Sequence, residues 1–182
     1  MRRLSTWILH WLGWKYSGHE QLDKLPKYLL AVAPHTSNWD FPLGILLRKS
    51  AGLDKVKFLG KSSLFKPPFG WLFRLLGGFP VQRDRSTNLV ESYVDIFNRF
   101  QEFAIVIAPE GTRKKVDHFK TGFYYIAKGA NIPIIPCVFD YEHRECRYLS
   151  PFYCTDNAAA DLAYLEGIFR GVKGKNPELG IN

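Results

Sequence analysis

Ala33-Pro34-His35-Thr36-Ser37-Asn38-Trp39-Asp40-Phe41-Pro42 is the stretch that places a histidine and an aspartate five positions apart directly after an apolar run. That run, Tyr28 to Ala33, is typical of a buried strand, and the residues from Leu43 to Arg48 favour a helix. His35 is therefore expected in the turn at the carboxyl end of a strand, where open α/β sheets bind their ligands.

Two interpretations of this stretch stay open. Ser37, Asn38 and Asp40 can each cap the amino terminus of a helix, so the pattern could serve only that purpose. Alternatively, five residues that cross a strand-to-helix turn can fold the Asp40 carboxylate back onto the His35 imidazole. The carboxylate would then fix the tautomer of the imidazole and make it a base for a hydroxyl proton.

The composition limits the possible classes of protein. With 182 residues, 46% of them hydrophobic and 15% aromatic, the chain is expected to form a single domain over 1–182 and not a disordered segment. The formal charge of +8 favours a polyanionic partner: nucleic acid, a phosphate-bearing substrate or an anionic membrane. Three cysteines without a Cys-x-x-Cys pattern indicate a reducing compartment. Their spacing with His143 matches no standard zinc pattern, so no metal is expected.

The first 20 residues predict an amphipathic helix, because apolar side chains recur at helical spacing from Leu4 to Trp14 between flanking basic residues. Its three tryptophans suit the headgroup level of a bilayer. An ordinary helix packed on the core is the alternative. The most apolar stretch, Leu64 to Val81, is interrupted by charged residues and prolines, so a membrane-spanning helix is not expected.

Strand-like and helix-like segments alternate along the rest of the chain, which predicts an α/β fold with a mixed, mostly parallel sheet flanked by helices. The prolines between Ile132 and Phe139 indicate an edge or a bend for that strand, and the tail after Val172 is expected to be frayed. Beyond Tyr28 to Ala33, the predicted strands are 56–60, 79–81, 103–108 and 132–139, and the predicted helices are 69–76, 87–103, 119–128 and 156–172.

A second polar turn, Pro109-Glu110-Gly111-Thr112-Arg113, follows the buried strand 103–108. Arg113 can hold a phosphate, Glu110 can accept hydrogen bonds from a polyol and Gly111 permits close backbone approach. Arg83, after the strand 79–81, is another possible phosphate ligand. A simple turn with a solvated charge pair is the alternative at residues 109–113.

Together these blocks resemble the glycerolipid acyltransferase family, the relatives of 1-acylglycerol-3-phosphate acyltransferase. His35-Thr-Ser-Asn-Trp-Asp40 is similar to the family's H-x-x-x-x-D motif. Further blocks follow in the family's order at residues 78–83, 109–113 and 132–136, and Lys61 also resembles a family position. The resemblance covers residues 28–140, and ordered blocks are more specific than one motif.

The resemblance implies an O-acyltransferase of phospholipid biosynthesis that moves a fatty acyl group from acyl-CoA or acyl carrier protein to a lysophospholipid hydroxyl. His35 is the implied general base and Asp40 its orienting group. The implied substrate-binding residues are Lys61, Arg83, Glu110, Gly111, Thr112 and Arg113. No cofactor beyond the donor is expected, and the expected location is cytoplasmic, peripheral on the inner face of the membrane.

Two alternatives from other classes remain. A thioesterase or other hydrolase could use the same dyad to activate water. A non-catalytic basic module could bind membrane or nucleic acid, although neither a helix-turn-helix nor exposed aromatic strands beside basic residues are evident.

Overall fold

The computed structural model describes residues 2–81 and 89–181. The α-helices are α1 (Arg2–Trp11), α2 (Asp40–Ser50), α3 (Gly70–Leu75), α4 (Leu89–Arg99), α5 (Gly122–Gly129) and α6 (Ala158–Phe169). The strands are β1 (Lys15–Ser17), β2 (Lys27–Ala33), β3 (Val56–Lys61), β4 (Gly78–Val81), β5 (Phe103–Ile107), β6 (Ile134–Asp140) and β7 (Glu145–Tyr148).

In these residues the strands form one sheet of seven, in the order β1-β7-β6-β2-β5-β3-β4. Strands β6, β2, β5, β3 and β4 are mutually parallel, whereas β7 runs antiparallel to β6 and pairs in parallel with β1. The predicted α/β fold with a mixed, mostly parallel sheet is confirmed.

Strand β2 is buried on both faces, as expected of a central strand in a parallel sheet. Leu29 and Ala31 point into the core that α4, α5 and α6 cover, and Leu30 and Val32 point into the core under α1 and α2. Each fully buried leucine contributes roughly 1.5–3 kcal/mol to folding. The continuous apolar run therefore fixes this strand between two helical layers.

The helices that follow two neighbouring strands lie on opposite faces of the sheet. The chain leaves β2 into α2 on one face, and it leaves the adjacent strand β5 toward α5 on the other. A crevice opens at the carboxyl ends of such strands because their connections diverge. His35 follows β2 and Glu110 follows β5, so both lie at this crevice.

The predicted edge position for the strand with Pro133 and Pro136 is wrong, since β6 lies between β7 and β2. Pro133 precedes the strand, and its carbonyl accepts from the Leu29 N–H at 3.0 Å. The Pro136 carbonyl accepts from Leu149 N–H at 2.9 Å, so the side of Pro136 that lacks an N–H faces β7. No hydrogen bond to β2 is lost, and the proline is tolerated inside the sheet.

The ends of the chain also differ from prediction. The amino-terminal helix is present but ends at Trp11, and the residues after it form β1, which the sequence analysis missed along with β7. The tail predicted to be frayed is packed: Ile181 is 2% exposed within the core. The short strands lack the length that makes a period-2 pattern visible, and the tail is held by contacts far away in sequence.

Candidate active site

The His35 imidazole and the Asp40 carboxylate lie together at the start of α2. Nδ1 of His35 is 3.0 Å from Oδ2 of Asp40, and the side chains are 21% and 2% exposed. With Nδ1 directed at a carboxylate, the tautomer that carries its proton on Nδ1 is favoured, and Nε2 is left as the basic atom. The pair is therefore arranged as a base and its orienting group.

The contacts of Asp40 differ from those of a helix cap. Asp40 is the first residue of α2, and the capping position belongs to Trp39, which makes no side-chain capping hydrogen bond. Oδ2 of Asp40 accepts the N–H of Ser37 at 2.9 Å, inside the turn that leads back to His35. The positive end of the α2 dipole favours a negative charge at this position. Asp40 thus faces the imidazole as an acceptor.

Glu110 supports the His35 turn from the neighbouring strand. Its side chain is buried, and Oε2 accepts the backbone N–H of His35 at 2.7 Å. Oε1 is also buried and has no hydrogen-bond partner within the described residues. Burial, as the largest cause, raises the pKa of Glu110 from 4.5 to about 7.

The rest of the second turn is more accessible. Gly111 has a φ of +66°, and a Cβ there would lie 2.8 Å from Cδ of Lys120, so the lysine stem packs over the glycine. The hydroxyl of Thr112 accepts the N–H of Lys114 at 3.2 Å. Arg113 is exposed and lines the same cavity as His35. The structure therefore brings Arg113 to the dyad and gives Thr112 a local contact within the turn.

The two remaining predicted residues are farther from the dyad or not described. Lys61 is the exposed last residue of β3, at the same edge of the sheet, but it does not line the cavity. Arg83 lies outside the described residues.

An apolar cavity of about 200 Å³ extends from the dyad between α2 and the sheet. Its floor is formed by side chains of β2, β5 and β6, and its roof by α2, where Gly44 leaves space. Arg48, about 12 Å farther along α2 than Asp40, also lines it and donates to the carbonyls of Asp54 and Val56. The lining includes Leu30, Val32, Phe41, Ile45, Leu47, Leu53, Phe58, Val106, Cys137 and Phe139. The aromatic stretch at residues 65–79 contributes nothing to this lining.

Sequence reasoning missed two groups that hold the dyad loop. The hydroxyl of Tyr141 donates to Oδ1 of Asp40 at 2.6 Å. Asn176 donates its side-chain amide to the Thr36 carbonyl at 2.8 Å and its backbone N–H to the Thr36 hydroxyl at 3.1 Å. Tyr141 directly follows β6, and its position after a buried strand was the available signal. For Asn176 the local sequence offers no signal of this kind.

None of the helices within residues 2–81 and 89–181 has the length and apolar character required to cross a membrane.

Known proteins are similar to this chain in sequence and in fold. The 1-acyl-sn-glycerol-3-phosphate acyltransferase of Streptococcus pneumoniae is 28% identical over 137 residues, which are 70% of this chain and 50% of that protein. The Escherichia coli enzyme of the same name is 32% identical over 113 residues, 59% of this chain and 45% of that protein. The chain thus spans about half the length of these curated relatives.

The crystal structure of the 1-acyl-sn-glycerophosphate acyltransferase PlsC from Thermotoga maritima matches the fold with a TM-score of 0.63 at 20% identity, over 92% of this chain and 74% of that one. The model of the family described as Acyltransferase matches residues 14–140, which include both polar turns and all five mutually parallel strands. By this match the chain belongs to the acyltransferase family.

Proposed function

We propose that this chain transfers a fatty acyl group from a thioester donor, acyl-CoA or acyl carrier protein, to the hydroxyl of a lysophospholipid such as 1-acylglycerol-3-phosphate. The observation that carries the proposal is a His35–Asp40 pair at the mouth of an apolar cavity, in a member of the acyltransferase family. The names of the curated relatives support this choice of acceptor.

The chemistry follows from the orientation of the imidazole. Nε2 of His35 takes the proton of the acceptor hydroxyl while that oxygen attacks the thioester carbonyl. The resulting tetrahedral intermediate collapses, the carbon–sulfur bond breaks, and the thiolate leaves with the proton that the imidazolium returns. Asp40 stabilises the imidazolium while it carries the charge. This direct transfer requires no acyl-enzyme and no cofactor beyond the donor.

Phosphate recognition is assigned to Arg113, which lines the cavity beside His35 and has a guanidinium that can bind two phosphate oxygens. Lys61, at the same edge of the sheet, is proposed as a further cationic group. Arg83, outside the described residues, is proposed as another from its sequence alone. Gly111 and Thr112 would approach the acceptor from the second turn. Glu110 would hold the His35 backbone in place through the hydrogen bond from the His35 N–H.

The cavity under α2 is the proposed site of an acyl chain. Its lining is mainly aliphatic and aromatic, and it begins at the atoms that would react. Burying apolar surface there contributes roughly 25 cal/mol per Å² to binding. A long chain therefore gains affinity while its reactive end stays next to His35.

Helix α1 is the proposed membrane contact. Its Leu9 is buried against the core, whereas Leu4, Trp7 and Trp11 are 60%, 64% and 76% exposed. One face of the helix therefore packs on the domain, and the opposite face presents large apolar side chains with arginines at its start. The proposed location is peripheral, on the inner face of the membrane, where the acceptor would be available.

The test is a panel of lysolipids offered with acyl-CoA and with acyl carrier protein thioesters, with products identified by mass spectrometry. The proposal predicts diacyl products and little thioester loss without acceptor. A hydrolase would consume thioester equally in both conditions. A binding module would consume none, and either outcome would reject the proposal.

A further inference from the structure

Asp40 makes a contact that the mechanism above does not use. Its Oδ2 faces His35 Nδ1 and the Ser37 N–H, while Oδ1 on the opposite side accepts the Tyr141 hydroxyl at 2.6 Å. Asp40 is only 4% exposed overall, so water offers little alternative for Oδ1. Charge-assisted hydrogen bonds of this length are among the strongest in proteins. Both oxygens of the carboxylate are therefore fixed, one by the dyad loop and one by Tyr141.

Tyr141 is itself held from other directions. Its backbone N–H donates to the Lys173 carbonyl at 2.9 Å. The edge-to-face contact with Trp14 has ring centroids 4.9 Å apart and an interplanar angle of 85°. Such aromatic pairs add stability beyond the area they bury. The hydroxyl is thus directed at Asp40 by neighbours from both the amino-terminal and the carboxyl-terminal parts of the chain.

A second hollow, of about 460 Å³, is also lined by Tyr141. Trp14 lines it as well, together with charged residues that include Arg144 and Lys173. Tyr141 therefore contributes both to this hollow and to the contact with the buried carboxylate. A variant that keeps the ring and removes only the hydroxyl leaves the lining of the hollow in place.

We propose that Tyr141 is a positioning residue for the His35–Asp40 pair, which it serves by holding Oδ1 of Asp40 so that Oδ2 stays directed at the imidazole. This inference rests on the proposed function, since it assigns Tyr141 a part in the same reaction. Burial, and after it the hydrogen bond to Asp40, raises the pKa of Tyr141 above its ordinary range, so the hydroxyl remains a donor at working pH.

The decisive variant is Tyr141→Phe, which retains the ring and its contact with Trp14. Without the donor, the value of kcat should fall at least about tenfold, the loss expected for one hydrogen bond to a charged group. KM should stay within about twofold because Tyr141 does not line the acyl cavity. The matched control is Tyr164→Phe, since Tyr164 is 59% exposed and stacks on Phe152 instead.

A second measurement does not depend on turnover. The ring signals of His35, assigned by their loss in His35→Gln, are followed by NMR from pH 4 to 9 in the wild type and in Tyr141→Phe. Their titration should move downward in Tyr141→Phe, because the carboxylate that stabilises the imidazolium is no longer held against Nδ1. The acid limb of kcat/KM should move in the same direction. The other titratable groups that face the dyad, Glu110 and Arg113, are unchanged in the variant.

Each result has one meaning. A downward titration change with a fall in kcat at constant KM supports the positioning role. A downward titration change in a protein that shows no acyl transfer supports the contact and rejects the proposed function. An upward or unchanged titration overturns the inference, because Asp40 then keeps its place without Tyr141. A loss of kcat that a lower melting temperature or a proportional rise in KM accounts for overturns it as well.

Discussion

The backbone N–H of His35 donates to Oε2 of Glu110 at 2.7 Å, so two polar turns that are 75 residues apart share a direct hydrogen bond. The bond connects the turn after β2 to the turn after β5. Because β2 and β5 are adjacent strands of one sheet, the bond joins the two turns at the crevice. The position of the imidazole therefore depends on a buried carboxyl group in the turn after the neighbouring strand.

Glu110 should make stability depend on pH. Its pKa is raised by burial from 4.5 to about 7, so the folded protein binds this proton more tightly than the unfolded chain. The contribution of Glu110 to stability consequently declines as pH rises between these values and is least favourable above pH 7. Glu110→Gln keeps an acceptor for the His35 N–H and removes the titration. The free energy of unfolding of the variant, measured relative to that of the wild type, should be about 1–3 kcal/mol higher at pH 8 than near pH 4.

Urea unfolding at both pH values measures this difference, and Glu102→Gln on the surface is the control. An identical wild-type-to-variant difference at pH 4 and pH 8 would contradict the raised pKa.

Replacing His35 with Ala should leave a folded protein whose acyl transfer falls by about 10²–10⁴, the usual contribution of a general base. Asp40→Asn should also be severe, because the imidazole loses the charge that orients it and stabilises its protonated form. Steady-state rates and thermal melts of both variants test this. Near-normal turnover in His35→Ala would remove the mechanism. Loss of stability without loss of turnover in Asp40→Asn would reduce that residue to a structural role.

Arg113→Lys should separate the two substrates. The lysine keeps the charge but loses the planar fork, so KM for a phosphate-bearing lysolipid should rise roughly tenfold or more while KM for the thioester changes little. Lys114→Arg, one position farther in the same turn, is the control. Equal changes in both KM values would indicate a distorted site and not a lost phosphate contact.

Gly44→Leu should shorten the accepted acyl chain. A Cβ at Gly44 would lie 3.8 Å from Phe139, an ordinary contact, and the rest of the leucine would then extend into the cavity. Leucine is also the better helix former, so folding should not suffer. The preference for palmitoyl over octanoyl donor should fall roughly tenfold. Gly167→Leu, in α6 with open space around it, is the control. An unchanged preference for palmitoyl over octanoyl donor would mean that the acyl chain binds outside this cavity.

Trp7→Ala with Trp11→Ala should weaken binding to vesicles that contain phosphatidylglycerol, above all at high salt. Salt screens the attraction of roughly 1 kcal/mol for each basic residue near the surface, but not the burial of the indoles. Trp14 is left intact because its ring packs on Tyr141. Co-sedimentation at low and high salt measures the effect, and Tyr153→Ala with Tyr164→Ala is the control. Binding equal to wild type at high salt would move the contact away from α1.

The central part of the fold could be predicted because its signals are local. Continuous apolar runs predict β2 and β5, and the helical period predicts α4 and the amino-terminal helix. The five-residue spacing of His35 and Asp40 makes their contact one of two interpretations, a helix cap being the other, and a single turn does bring the two side chains together. These features need no knowledge of distant residues.

The remaining features depend on which strands become neighbours. Pro136 suggests an edge strand, but its nitrogen faces Leu149 and not β2, so the pairing with β2 is kept. Only the register of the strands shows this. Tyr141 and Asn176 approach the dyad loop from 101 and 140 residues away. Such long-range contacts leave no periodic pattern in the sequence. The position of Tyr141 after a buried strand is its one local signal, and Asn176 has none.

The order in which the chain is synthesised gives these distant supports a further consequence. His35 and Asp40 leave the ribosome before their supports, because Glu110, Tyr141 and Asn176 emerge 75, 101 and 140 residues after the positions they hold. A nascent chain that has reached only α2 contains the reactive pair without its supports, because synthesis proceeds from the amino terminus. The supported pair should therefore be complete only after Asn176 has emerged.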